Sequence, residues 1–172
     1  IISFIILFSL TLIISMNTNQ VKFSSDFNPN FIGSNINEYL KKTEEQFIDI
    51  KEGVEKKVIW ANKTNKKTHF AIVYIHGFTA SSEEVRPLPD KIANDLDANL
   101  FFTRLTGHGR NPKAMELCSI PNWMKDLHEA LEIGSKIGEK VVLMSSSTGG
   151  TISVTSALDK KLSNVILGYI FI

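Results

Sequence analysis

Residues 141–152 read VVLMSSSTGGTI: four apolar residues, a cluster of small hydroxyl side chains, two glycines, and then a resumed apolar pattern. A continuous apolar run such as 141–144 marks a strand covered on both faces. A helix is expected directly after it, over 149–158, so the chain must turn from strand to helix within a few residues. Such a corner needs small residues, because the backbone there is strained and closely packed. Ser145 and Gly149 flank Ser147 at two residues on either side, and Gly150 lets the new helix approach the sheet.

The same strand–loop–helix order repeats outward from this corner. Upstream, residues 70–75 (FAIVYI) form a second continuous apolar run, and 87–96 carry a helical pattern through Leu88, Ile92, Ala93 and Leu96. Residues 100–103 (LFFT) read as the next strand. The helix at 121–137 places Trp123, Leu127, Ala130, Leu131, Gly134 and Ile137 on one stripe, with Pro121 at its start and Gly138 just past its end. Residues 165–172 give a fourth apolar strand. Further upstream, 38–49 is a short helix candidate and 54–61 a strand candidate, joined to the rest by the polar turn at 62–68. Alternation of this kind predicts an α/β domain, a mostly parallel sheet with helices on both faces.

The ends carry separate expectations. Twelve of the first sixteen residues are apolar, and no charge occurs before Lys22. A helix of sixteen residues rises about 24 Å, against roughly 30 Å for a hydrocarbon core. Residues 1–21 therefore read as a hydrophobic helix serving as transmembrane anchor or signal segment, with a buried core helix as the remaining alternative. Either of the first two predicts a membrane-anchored or exported, extracytoplasmic domain. Residues 22–37, rich in Asn and Ser, read as a linker, and 38–172 as the α/β domain. The chain begins at Ile and stops inside an apolar strand, so it reads as a fragment truncated at both ends.

Composition narrows the function classes. Apolar residues make up 43% and charged residues 22%, with a formal charge of +1 and no basic stripe, which argues against nucleic acid. Cys118 is alone, so no intrachain disulfide or CxxC site exists. His69, His76, His108 and His128 lack zinc-site spacing, and no metal or organic cofactor is implied. Gly107-His108-Gly109 is no dinucleotide fingerprint, since Pro112 stands where the third glycine belongs. No GKS or GKT follows Gly149-Gly150, so a phosphate-binding P-loop is excluded.

In a parallel sheet, ligands bind beyond the carboxyl ends of the strands. Three loops leave those ends: His76-Gly77-Phe78-Thr79, then residues 104–110 (RLTGHGR), then residues 145–150 (SSSTGG). The last places the Ser147 hydroxyl above the sheet at a helix N-terminus, where the local potential favours an oxyanion. The Thr148 N–H would point at that oxyanion, and Phe78 is placed to supply a second donor.

With these three motifs in order, the chain resembles the α/β-hydrolases of the serine esterase, lipase and aminopeptidase branch. The likeness covers residues 39–172. It implies Ser147 as nucleophile and the backbone N–H groups of Phe78 and Thr148 as oxyanion hole. It also implies a small-molecule or lipid-like ester, thioester or amide substrate. Two departures stand out. Ser145 replaces the usual glycine, and no histidine follows Ser147, whose only downstream acid is Asp159. The fold takes its triad in the order Ser, acid, His, so the base and its acid are expected beyond residue 172.

Other residues have plainer readings. His76 reads as a structural group bonding loop backbone, with Gly77 beside it. His108 reads as a loop-shaping residue or part of the site lining. Trp123 belongs to the helix stripe and reads as core, Cys118 as an inert thiol, and the lysines at 63–67 as a solvated turn. The competing functional reading is a membrane-tethered binding protein with this fold and no working triad.

Overall fold

The computed structural model describes residues 27–159 and 163–172. Its centre is a five-stranded sheet: β1 (Lys57–Ile59), β2 (Thr68–Ile75), β3 (Asn99–Phe102), β4 (Gly138–Ser145) and β5 (Ile166–Phe171), in spatial order β1-β3-β2-β4-β5. β1 runs antiparallel to β3, and the other three ladders are parallel. The mixed α/β architecture agrees with the sequence reading. The helices are α1 (Ile36–Glu44), α2 (Leu88–Asp95), α3 (Ile120–Ile137) and α4 (Ser147–Thr155).

The order of the strands positions the site. From β2 the chain passes through α2 to β3 on one side, whereas from β4 it passes through α4 to β5 on the other. β2 and β4 are neighbours, paired from Thr68↔Gly138 to Ile75↔Ser145. Connections leave these two adjacent strands in opposite directions, so a crevice opens between their carboxyl ends. The 76–79 and 145–150 loops both start there.

Alternation along β2 builds two cores. Ala71, Val73 and Ile75 face a layer that includes Leu127, Ala130, Leu131 and Ile137 of α3, while Ile72 and Tyr74 join Ala93, Leu100 and Phe102 on the opposite face. Gly134 is needed where α3 crosses the sheet, because a Cβ there would stand 2.7 Å from Val73 Cγ2.

Several boundaries differ from the sequence expectations. Residues 1–21, read as an anchor or signal helix, lie outside the described residues, and among the described residues no helix is long and apolar enough to cross a membrane. The 22–37 stretch is not a free linker in its described part. Pro29–Ile32 forms a 3₁₀ turn, and Ile32 and Ile36 are buried in the main core. Two of its Asn side chains are caps: Asn28 accepts from Asn30 N–H, and Asn35 accepts from Glu38 N–H. One short turn produces no hydrophobic period, which is why polar capping residues look like a loop. α1 ends at Glu44 rather than at 49, leaving Ile48 fully exposed and Phe47 against the guanidiniums of Arg104 and Arg110. β1 is confined to three residues, and α4 begins at Ser147 itself rather than at Gly149.

Candidate active site

The 145–150 corner has the strain its composition predicts. Ser147 sits at φ +46°, a left-handed conformation that costs a non-glycine residue energy, and its side chain faces solvent. The corner is tied to β2 by Ser146 N–H donating to Ile75 O at 3.1 Å. Gly149 meets the same strand end edge-on: a Cβ there would collide with the carbonyl oxygens of Ile75 and His76, at 2.6 Å from the latter. Only glycine fits between the first turn of α4 and β2. Thr148 lies in that first turn, where backbone N–H groups have no intrahelical acceptor.

Gly77 faces Ser147 across the crevice, since a Cβ on Gly77 would be 3.3 Å from Ser147 Cβ. The next peptide is oriented by His76, whose Nδ1 lies 2.8 Å from Gly77 O. A planar trans peptide aims its N–H opposite to its carbonyl. Holding Gly77 O toward His76 therefore turns the Phe78 N–H away from it, and among the described residues that N–H has no partner. The Phe78 side chain is half exposed.

His76 and His108 clasp their two loops reciprocally. His76 Nε2 accepts from Leu105 N–H at 3.0 Å, and His108 Nε2 accepts from Thr79 N–H at 3.1 Å, with the rings 4.9 Å apart. An Nε2 that accepts leaves the proton on Nδ1, facing Gly77 O in one ring and Thr106 O in the other. Both imidazoles are kept neutral. Burial pushes the His76 pKa down to about 4, with neighbouring His108 and Arg104 adding to the effect, and burial likewise lowers His108. With both ring nitrogens occupied, neither histidine is available as a base for Ser147. Gly107 and Gly109 take positive φ values (+88° and +67°), which explains the spacing of the second motif. Cys118 matches its inert reading: its thiol faces Thr106 O at 3.5 Å, and burial raises its pKa.

Beside Ser147 runs an open groove of about 290 Å³, lined by Ser145, Gly150, Thr151, Val154 and Phe171. Ser145, which stands where glycine was expected, is fully buried, and its hydroxyl has no partner among the described residues.

Two site neighbours were missed by sequence reasoning. Trp123, expected in the core, is only partly buried; its Nε1 donates to Thr106 O at 3.1 Å and its ring lies 6.2 Å from Phe78 and 5.9 Å from His108. Its place near the start of α3, next to the loops rather than under the sheet, makes the difference. Glu84 bonds Gly77 N–H at 2.7 Å, and no motif or periodicity marks it.

No protein-family model matches the chain, and no curated protein does. Among solved structures, the chain is similar to one reported with LipS and LipT, two metagenome-derived lipolytic enzymes, with a TM-score of 0.60 and 22% identity. The match covers 71% of this chain and 46% of that one. At this identity the likeness concerns the fold, and the chain spans slightly under half the length of the solved protein.

Proposed function

We propose that this chain carries the nucleophile half of a serine hydrolase that cleaves an ester, thioester or amide through an acyl-enzyme. Ser147 Oγ attacks the substrate carbonyl, its proton passes to a histidine, and the tetrahedral oxygen is held by the Phe78 and Thr148 N–H groups. The leaving group takes the proton, and water then hydrolyses the acyl-enzyme by the same route. His76 and His108 are occupied by backbone, so the base and the acid that orients it are assigned to residues beyond 172. The fold match takes up only 46% of the solved protein, which supports that assignment. Residues 1–21 would tether the domain to a membrane or export it.

The observation that carries this reading is Ser147 itself: exposed, at φ +46°, on a strand-to-helix corner, with its Cβ against Gly77. A fluorophosphonate should label the full-length protein at Ser147, and Ser147→Ala should lower kcat by about 10⁴–10⁶. Activity within tenfold of wild type would remove Ser147 from this role and leave a binding protein of the same fold.

A further inference from the structure

The turn that carries the Phe78 N–H closes on itself through Ala80 N–H donating to Gly77 O at 3.3 Å, and side chains outside it hold it at three further points. Gly77 O is held by His76 and Thr79 N–H by His108. The third is Glu84, which closes the short 3₁₀ turn Ser82–Glu84 and folds back on the loop. Its Oε1 accepts from Gly77 N–H at 2.7 Å and from the Tyr74 hydroxyl at 2.6 Å. Tyr74 is fully buried near the end of β2, so the carboxylate is anchored to the sheet. A Cβ on Gly77 would lie 3.4 Å from Glu84 Oε2 and 3.3 Å from Ser147 Cβ, which leaves Gly77 wedged between the carboxylate and the corner.

Glycine has the widest choice of φ and ψ. Fixing its N–H on one side of Cα and its C=O on the other removes that choice. The carbonyl is already held by His76, so the N–H bond to Glu84 completes the restraint. The direction of the next N–H, that of Phe78, follows from the planarity of the peptide.

We infer that Glu84 is a positioning residue for this turn, setting the Phe78 N–H through Gly77 without touching substrate. The inference rests on the proposed hydrolase reading, in which that N–H binds the developing oxyanion. Donors of this kind act only when aimed at where charge develops, and small displacements are costly.

The test compares Glu84→Ala and Glu84→Gln with wild type and Ser147→Ala in the full-length protein, using p-nitrophenyl butyrate. Glu84→Ala should lower kcat about 10- to 100-fold and leave KM within about threefold. Glu84→Gln keeps an amide oxygen as acceptor and should restore kcat to within about fivefold of wild type. The inference is overturned if Glu84→Ala keeps kcat within twofold, if only KM changes, or if Gln is as poor as Ala. Should Glu84→Ala fail to fold, Tyr74→Phe decides instead, with kcat expected to fall about three- to tenfold as one anchor of the carboxylate is lost. An unchanged kcat in that variant overturns the inference equally. Full activity in Ser147→Ala would overturn the hydrolase reading itself, whereas an inactive Ser147→Ala beside an unaffected Glu84→Ala would overturn the positioning role alone.

Discussion

The 104–109 loop is supported differently on its two sides. Toward the candidate site it meets neutral groups: His76 accepts from Leu105 N–H, and His108 reaches out to Thr79. Behind it lies a buried ionic cluster. Arg104 donates to both carboxylate oxygens of Glu44, at 2.9 and 2.8 Å, and to His108 O at 3.0 Å. Thr106 N–H donates to Asp126 at 2.6 Å, and Lys56 is paired with Glu129, which also accepts from Tyr39 OH. Burial pushes the Asp126 pKa up despite nearby Lys56, while Glu129 and Asp126 together hold the buried Lys56 firmly protonated.

Both sides solve the same problem, satisfying buried backbone and side-chain polar groups. The neutral side does so without burying charge, but its two acceptors can be protonated. The ionic side sets Arg104 and Lys56 against carboxylates, but each member depends on the others, and removing one cation leaves an uncompensated buried charge. Arg104 joins the two through the His108 carbonyl.

Four measurements break or sharpen this contrast. The largest effect is expected behind the loop. Lys56→Met should lower the stability of the chain in urea by about 3–5 kcal/mol, with Glu129→Gln in the same chain recovering at least half. A cost under about 1 kcal/mol would mean that the cluster does not depend on charge pairing. Next, Gly149→Ala should cost about 3 kcal/mol, since its Cβ meets backbone rather than a movable side chain. A loss smaller than about 1 kcal/mol would show that the corner can relax.

The third measurement uses pH. The His76 pKa lies near 4 in the fold, below the unfolded value of 6.5, so acid protonates the unfolded chain first. Stability attributable to His76 is unaffected above pH 6.5 and is lost as pH falls from there toward 4. By pH 5 the loss should reach about 2 kcal/mol. Urea midpoints measured from pH 8 to 5 should show this slope in wild type and a flatter one in His76→Gln. Equal slopes would sever the link to the neutral imidazole. The smallest effect belongs to a charge pair outside both regions. Lys41 and Glu45 are exposed partners 3.7 Å apart, and Lys41→Ala should change stability by only about 0.3 kcal/mol in a thermal melt. A larger change would weaken the claim that burial separates the two kinds of pair.

Legibility in the sequence followed the range of the interaction. The runs at 70–75, 100–103 and 141–144 became β2, β3 and β4 because continuous apolar segments have few alternatives once both faces are covered. Gly149 marked the corner because its close approach to the Ile75 and His76 carbonyls excludes a side chain, whereas a Cβ on Gly150 would meet only side chains, the Phe171 ring at 3.3 Å. Ile32 and Ile36 were hidden by the capping asparagines around them. Trp123 fell on the apolar stripe of its helix, and the helical period alone does not tell which end of a stripe emerges beside a loop. Glu84 is an exposed acid in a run of polar residues, and its bonds to Gly77 and Tyr74 exist only after the turn has closed.

The chain's own letters therefore determined a layered sheet, the place of its tight corner and the three loops at its carboxyl ends, since these depend on local sterics and on patterns a few residues long. Tertiary structure alone decided which loops meet, which imidazoles are neutral, and which carboxylate holds the turn opposite Ser147. Those outcomes arise from the reversal of strand order between β2 and β4 and from desolvation, neither of which is a property of neighbouring residues.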